Sequence, residues 1–198
     1  MWDFIQSSRT VSAKRFSKKT DWLRLIVLSF MISLYCLIGF LLICYQATSS
    51  NLAIGMTAAF TGITTIVMTS KIARPDIYLD WMLNGAFVAV AGLILVNDKI
   101  NDLQFAASGA LLLLSALTRV WIGITAYPRR AAQWIGDSGY LGTVGALWAG
   151  CALIFDWKPS LPTVLEIDIF VEGLCIAAFG IALHRSDSNR SEVQRLSC

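Results

Sequence analysis

Long apolar runs and short polar breaks alternate six times along this chain. The runs are Trp22–Tyr45, Leu52–Ser70, Ile77–Val96, Phe105–Tyr127, Ala131–Phe155 and Val164–Leu183. Each is about 19–25 residues long, and a helix rising about 1.5 Å per residue needs about 20 to cross a hydrocarbon core of about 30 Å. A soluble sheet protein with buried strands supplies apolar runs of about four to eight residues, not six runs of this length. The pattern therefore predicts an all-α polytopic membrane protein with six transmembrane helices. Residues 21–184 form the bundle, flanked by a basic arm at 1–20 and a tail at 185–198.

Composition agrees. Charged residues make up 15% of the chain and hydrophobic ones 56%, and the mean hydropathy is +0.63. Soluble domains carry about 25% charge. The first run is longer than the apolar part of a cleaved signal peptide and follows a polar arm, so it is expected to remain as the first membrane helix.

The Lys and Arg residues set the orientation. Arg9, Lys14, Arg15, Lys18, Lys19 and Arg24 precede or open helix 1; Lys71 and Arg74 fall between helices 2 and 3. Arg129 and Arg130 fall between helices 4 and 5, and Arg185, Arg190 and Arg195 follow helix 6. The opposite side has only Lys99 and Lys158, and Arg119 interrupts helix 4. Both termini are expected in the cytoplasm. The net charge of +3 then serves topology; the basic residues share no folded face with stacking aromatics, so nucleic acid is not a partner. The expected surroundings are the lipid bilayer, with an anionic leaflet suited to the arm at 1–20, and a homo-oligomer or a larger membrane complex remains open.

Short connections predict three antiparallel hairpins, 1–2, 3–4 and 5–6. The second helix of each carries two small residues seven apart: Gly55 and Gly62, Gly109 and Ala116, Gly173 and Gly180. Seven residues are nearly two helical turns, so each pair lies along one face. Lipid gives helices no hydrophobic reason to associate, and small residues allow close backbone approach. These six positions are expected to be packing seams in a repeated hairpin.

Polar residues that interrupt the runs are the candidates for function. Arg119 and Asp137 fall at similar depth on neighbouring helices and are expected to form an intramembrane charge pair. The alternatives are a structural clamp, an Arg119 that snorkels towards the inner headgroups, or an anion, lipid-headgroup or proton site opening to the cytoplasm. Asp98, Asp102, Asp156, Glu166, Asp168 and Glu172 gather at or near the outer ends of helices 3 to 6. They are either the charges that the inner side excludes or a proton-responsive outer face. Isolated carboxylates titrate near pH 4, and repulsion or burial moves that upward. Asp80, Trp81, Trp22, Trp134 and Trp157 suit helix ends at the interface.

No Gly-rich phosphate loop, metalloprotease HExxH or nucleophile elbow occurs, so no enzymatic activity, catalytic residue or cofactor is expected. Cys36, Cys44, Cys151, Cys175 and Cys198 form no CxxC spacing and His184 is the single histidine, so no metal site is expected either.

Gly62-Ile63, the segment Trp81-Met-Leu-Asn-Gly85 and the segment beginning Gly92-Leu-Ile-Leu resemble the repeat of the HdeD-like acid-resistance membrane proteins of bacteria. So does Arg119 followed by Arg129-Arg130 and Trp134. The resemblance covers residues 25–184. It departs in the longer outer loop of the third hairpin, in Ala152 where the first two hairpins have glycine, and in the basic arm. It implies a non-enzymatic protein of the bacterial inner membrane, linked to acid stress. An accessory subunit of a membrane complex and a small transporter or channel are the alternative readings.

Overall fold

The computed structural model describes residues 21–45, 49–72, 75–96, 102–126, 129–154 and 161–196. It contains six helices and, among the described residues, no strand: α1 (Asp21–Cys44), α2 (Ser50–Ile72), α3 (Pro75–Leu95), α4 (Asp102–Thr125), α5 (Arg129–Ile154) and α6 (Leu161–Leu196). The helices begin where local chemistry favours it. The Ser49 hydroxyl accepts from the Leu52 amide at 3.4 Å and caps α2, and Pro75 takes the first position of α3, where its missing N–H costs nothing. The last helix is longer than its apolar run. At 36 residues it extends about 54 Å and carries the chain beyond Leu183 without a break. The arm at 1–20 and the rim residues Asp98 and Asp156 lie outside the described residues.

Three helices, at Trp22–Cys44, Ser50–Lys71 and Leu103–Thr125, are long and apolar enough to cross a membrane, and Leu79–Leu95 is a shorter apolar stretch. The last two helices are less apolar for an identifiable reason: α5 contains Gln133 and Asp137, and α6 contains Glu166, Asp168 and Glu172.

Every helix turns large apolar side chains outward. Phe30 and Phe40 of α1, Phe60 and Val67 of α2, Leu93 of α3, Leu117 and Ile124 of α4, Leu141 and Val144 of α5, and Ile167 and Phe170 of α6 are all exposed.

Each helix packs on its neighbour in sequence, and α6 closes the ring against α1 while also touching α2. The most extensive contacts are α2–α3 and α4–α5. The tightest joints therefore connect the expected hairpins to each other rather than holding each one together. The cause is backbone approach. A Cβ on Gly55 would lie 2.8 Å from the Gly92 carbonyl oxygen, and one on Gly62 would run into the Gly85 carbonyl oxygen.

On the α4–α5 joint, a Cβ on Gly123 would sit 2.5 Å from the Gly136 Cα, and one on Gly139 would sit 2.7 Å from the Ala116 carbonyl oxygen. On the closing joint, Gly173 faces Ile32 and Gly180 faces Leu25 and Ile26. Five of the six expected seam positions thus lie at helix contacts. Gly109 does not: a Cβ there would meet nothing within 4 Å. Spacing along one helix places residues on a face but does not say whether a neighbour covers that face.

The ring encloses a core of Leu25, Leu28, Ile32, Ile54, Leu95, Leu112, Ile122, Ile135, Leu165, Ile169 and Phe179. Trp81 joins it, 4% exposed and stacked on Phe179 with ring centroids 6.4 Å apart, so it is a core residue and not an interfacial anchor. Trp22 lies against His184 at 4.3 Å, joining the start of α1 to α6. Cys36 is buried, Cys44 and Cys151 are exposed, and all described cysteines are free.

Candidate functional site: a charged cluster inside the bundle

The inward face of α4 is a stripe of Ser108, Leu112, Ser115, Arg119 and Ile122, each at most 2% exposed. Their spacing of three and four residues follows the helical period. The inward face of α6 reads Leu165, Asp168, Ile169, Glu172, Ile176 and Phe179 in the same way. These two stripes, with Asn84 of α3, place three charges and three neutral polar side chains, Asn84, Ser108 and Ser115, inside the bundle.

Arg119 is the largest fully buried side chain. Its Nη2 donates to both oxygens of Asp168, at 2.6 Å to Oδ2 and 2.9 Å to Oδ1. Its Nη1 lies 3.8 Å from Glu172 Oε2, an ion-pair distance but too long for a hydrogen bond. Asn84 Nδ2 donates to the other oxygen of Glu172 at 2.6 Å, and the Ser115 hydroxyl donates to Asn84 Oδ1 at 2.7 Å. The chain of contacts runs Ser115, Asn84, Glu172, Arg119, Asp168, and joins α3, α4 and α6.

The fourth wall is α5, at Gly142. A Cβ there would lie 2.5 Å from both Arg119 Nη2 and Asp168 Oδ1. Only a residue without a side chain leaves room for the ion pair. Comparison with known protein families, characterised proteins and solved structures returned no match. The chemistry must therefore be read from the cluster itself.

The pairing differs from the Arg119–Asp137 pair expected from the sequence. Asp137 is on the exposed face of α5, while Ile135, Ser138, Gly139 and Gly142 face inward. Depth along the helix was the sequence's only handle on the pairing, and depth does not specify rotation about the axis. The acidic outer face is also redistributed. Asp168 and Glu172, 5% and 3% exposed, belong to the interior cluster. Glu166 is half-buried in the second turn of α6, and Asp102 opens α4, with its side chain outside the described residues.

The sequence did hold a usable signal: two carboxylates four apart, on the same helical face as Leu165, Ile169 and Ile176. Acids on the inward stripe of an apolar run need a buried cation, and Arg119 is the only Lys or Arg in the middle of a run, Arg24 standing at the very start of the first.

The remaining hydrogen-bonding capacity of the site is unused. Arg119 Nε and Nη1 and Glu172 Oε2 have no hydrogen-bond partner among the described residues, nor do Thr61 Oγ1, Ser108 Oγ and Trp81 Nε1. Thr61 belongs to a buried line of Thr57, Thr61, Thr65 and Thr69 along α2. Thr57 and Thr69 donate back to carbonyls of their own helix, at Ala53 and Thr65. Among the described residues no group of three His, Cys, Asp or Glu side chains is arranged to hold a metal ion.

Proposed function

We propose that this chain is a six-span, non-enzymatic protein of the bacterial inner membrane with both termini in the cytoplasm. It responds to acid through the Arg119–Asp168–Glu172 cluster. The six-span reading is supported by the apolar residues that every helix turns outward, since a bundle dissolved in lipid is apolar on both faces. The inner-membrane reading rests on the Lys and Arg asymmetry and on the HdeD-like resemblance.

One observation carries the acid response. A single guanidinium is buried with two carboxylates, and Glu172 Oε2 has no hydrogen-bond partner among the described residues. With both carboxylates ionised the interior would hold a net negative charge. A structural clamp would need only one carboxylate, and each intramembrane charge costs about 2.5–3.5 kcal/mol at the helix centre. A proton on Glu172 balances the cluster. Asn84 donates to the opposite oxygen, Oε1, which leaves Oε2 to carry the proton. The proton-responsive element is thus moved from the outer rim to the centre of the bundle.

Infrared difference spectra between neutral and acidic buffer test this. A protonated carboxyl band that titrates in the native protein and is missing in Glu172→Gln supports the proposal, as does loss of acid survival in cells carrying that variant. An unchanged band together with unchanged survival refutes it.

A second reading is a small proton or cation transporter, favoured by the unpartnered Thr61 and Ser108 hydroxyls in the interior. Pumping or leak in proteoliposomes that disappears in Arg119→Ala would distinguish transport from sensing.

A further inference from the structure

We propose that the cleft between α4 and α5 around Asp137 binds an amphiphilic organic cation that enters from the bilayer. The inference rests on α4 and α5 being membrane spans and is independent of the acid response. The cleft has a volume of about 420 Å³ and is lined by Gly123 and Ile124 on one side and Gln133, Gly136, Asp137 and Tyr140 on the other. Sites for small organic molecules span roughly 300–1,000 Å³.

The cleft exists because α4 and α5 touch through backbone. A Cβ on Gly123 would be 2.5 Å from the Gly136 Cα, so no side chain fills the floor, while Ile124 and Tyr140 stand exposed at its walls.

Asp137 is the anomaly that identifies the occupant. Ionisable residues within spans almost always face the bundle interior and pair there. Asp137 instead faces outward and lines the cleft with Ile124 and Tyr140, and no cation among the described residues pairs with it. The nearby guanidinium of Arg119 is buried and already committed to Asp168.

With no cation among the described residues set against it, a carboxylate there suits a positive charge supplied by a ligand. Asp137 lies eight residues past Arg129, about 12 Å along α5, and its Cβ leans towards the helix N-terminus. On the six-span reading that position lies within the hydrocarbon, where the ammonium of a phospholipid would have to leave its own hydration. A metal ion would have to shed its water into an apolar cleft that offers one carboxylate and one amide. An organic cation with an apolar body meets neither obstacle. Its body packs on Ile124 and Val120, its charge sits against Asp137, and the Tyr140 ring offers a cation–π face.

The test is binding of tetraphenylphosphonium to the full-length protein in dodecyl maltoside micelles by equilibrium dialysis. Tetraphenylborate, equal in size and opposite in charge, serves as the control. The expected result is saturable binding of one phosphonium per chain, at least tenfold weaker in Asp137→Asn, weakened also in Tyr140→Leu, and no saturable binding of the borate. Equal phosphonium binding by the native protein and both variants overturns the proposal, as does equal binding of the two ions. Loss of binding when phosphatidylethanolamine, but not phosphatidylcholine, is added would assign the cleft to a lipid and also overturn it. Whether detergent is needed to extract the protein checks the membrane reading on its own.

Discussion

Gly142→Ala is the sharpest probe of the cluster, because it adds a single carbon at the point where three helices meet around the ion pair. The new Cβ would lie 2.5 Å from Arg119 Nη2, 2.5 Å from Asp168 Oδ1 and 3.1 Å from the Ala116 Cβ. Ordinary contact begins at about 3.4 Å, so both charged atoms must retreat by nearly 1 Å. Side-chain ends usually move easily, but these are fully buried and hold one another at 2.6 and 2.9 Å. A retreat of that size takes the longer bond beyond hydrogen-bonding range. Separating a buried pair completely costs about 3–5 kcal/mol, so partial separation is expected to cost about 2–3. Against this, replacing glycine by alanine in a helix contributes up to about 1 kcal/mol of stability.

The net expectation is a loss of about 1–2 kcal/mol. Gly109→Ala is the internal control: it adds the same carbon in the middle of a helix where nothing lies within 4 Å, and should retain the helix gain. Equilibrium unfolding in mixed micelles, titrating sodium dodecyl sulfate into dodecyl maltoside, should separate the two variants by about 2–3 kcal/mol. If Gly142→Ala proves as stable as Gly109→Ala, the ion pair is not held at the α5 backbone and the reasoning fails.

Asp168→Asn leaves Arg119 with only Glu172 at 3.8 Å and should destabilise by about 3–5 kcal/mol in the same unfolding assay. Glu172→Gln keeps an acceptor for Asn84 and removes the surplus charge, so stability should hold at neutral pH, and its dependence on pH should flatten when melting is followed across a pH series. Neutralising the rim with Asp98→Asn, Asp102→Asn and Glu166→Gln together should leave acid survival intact while Glu172→Gln abolishes it; the reverse outcome would return the response to the outer face. Gly62→Val, which drives two methyls into the Gly85 backbone, should part α2 from α3 and lower the melting temperature far more than Gly109→Val.

Much of the architecture could be read along the chain, and the reason is the one-dimensional nature of the signal. Helix existence follows from run length, so all six helices fall where the apolar runs are, and only α6, which continues to Leu196, passes its expected end by more than two residues. Glycine spacing likewise marked faces at which backbones do approach, as at Gly55 and Gly62. Arg119 also stood out, because a cation in the middle of an apolar run is expected to be paired, functional or snorkelling to the interface.

What the order of residues could not decide was which faces meet. Placing Arg119 opposite Asp137 required knowing the rotation of α5, and a rotation of one residue, about 100°, exchanges Asp137 for Ser138 at the interior. Likewise Asp168 and Glu172 lie in the outer half of a linear map yet face the axis of the bundle, since α6 closes the ring against α1 and turns that stripe inward. Gly109, Ala116 and Gly142 differ in consequence for the same reason: one faces open space, one a neighbouring backbone and one an ion pair. Hydrophobic length along the chain determined that this protein is a bundle of six helices with charges it must hide. The azimuth of each helix, set by close packing at glycine seams far apart in sequence, decided that those charges form one cluster and left Asp137 facing out.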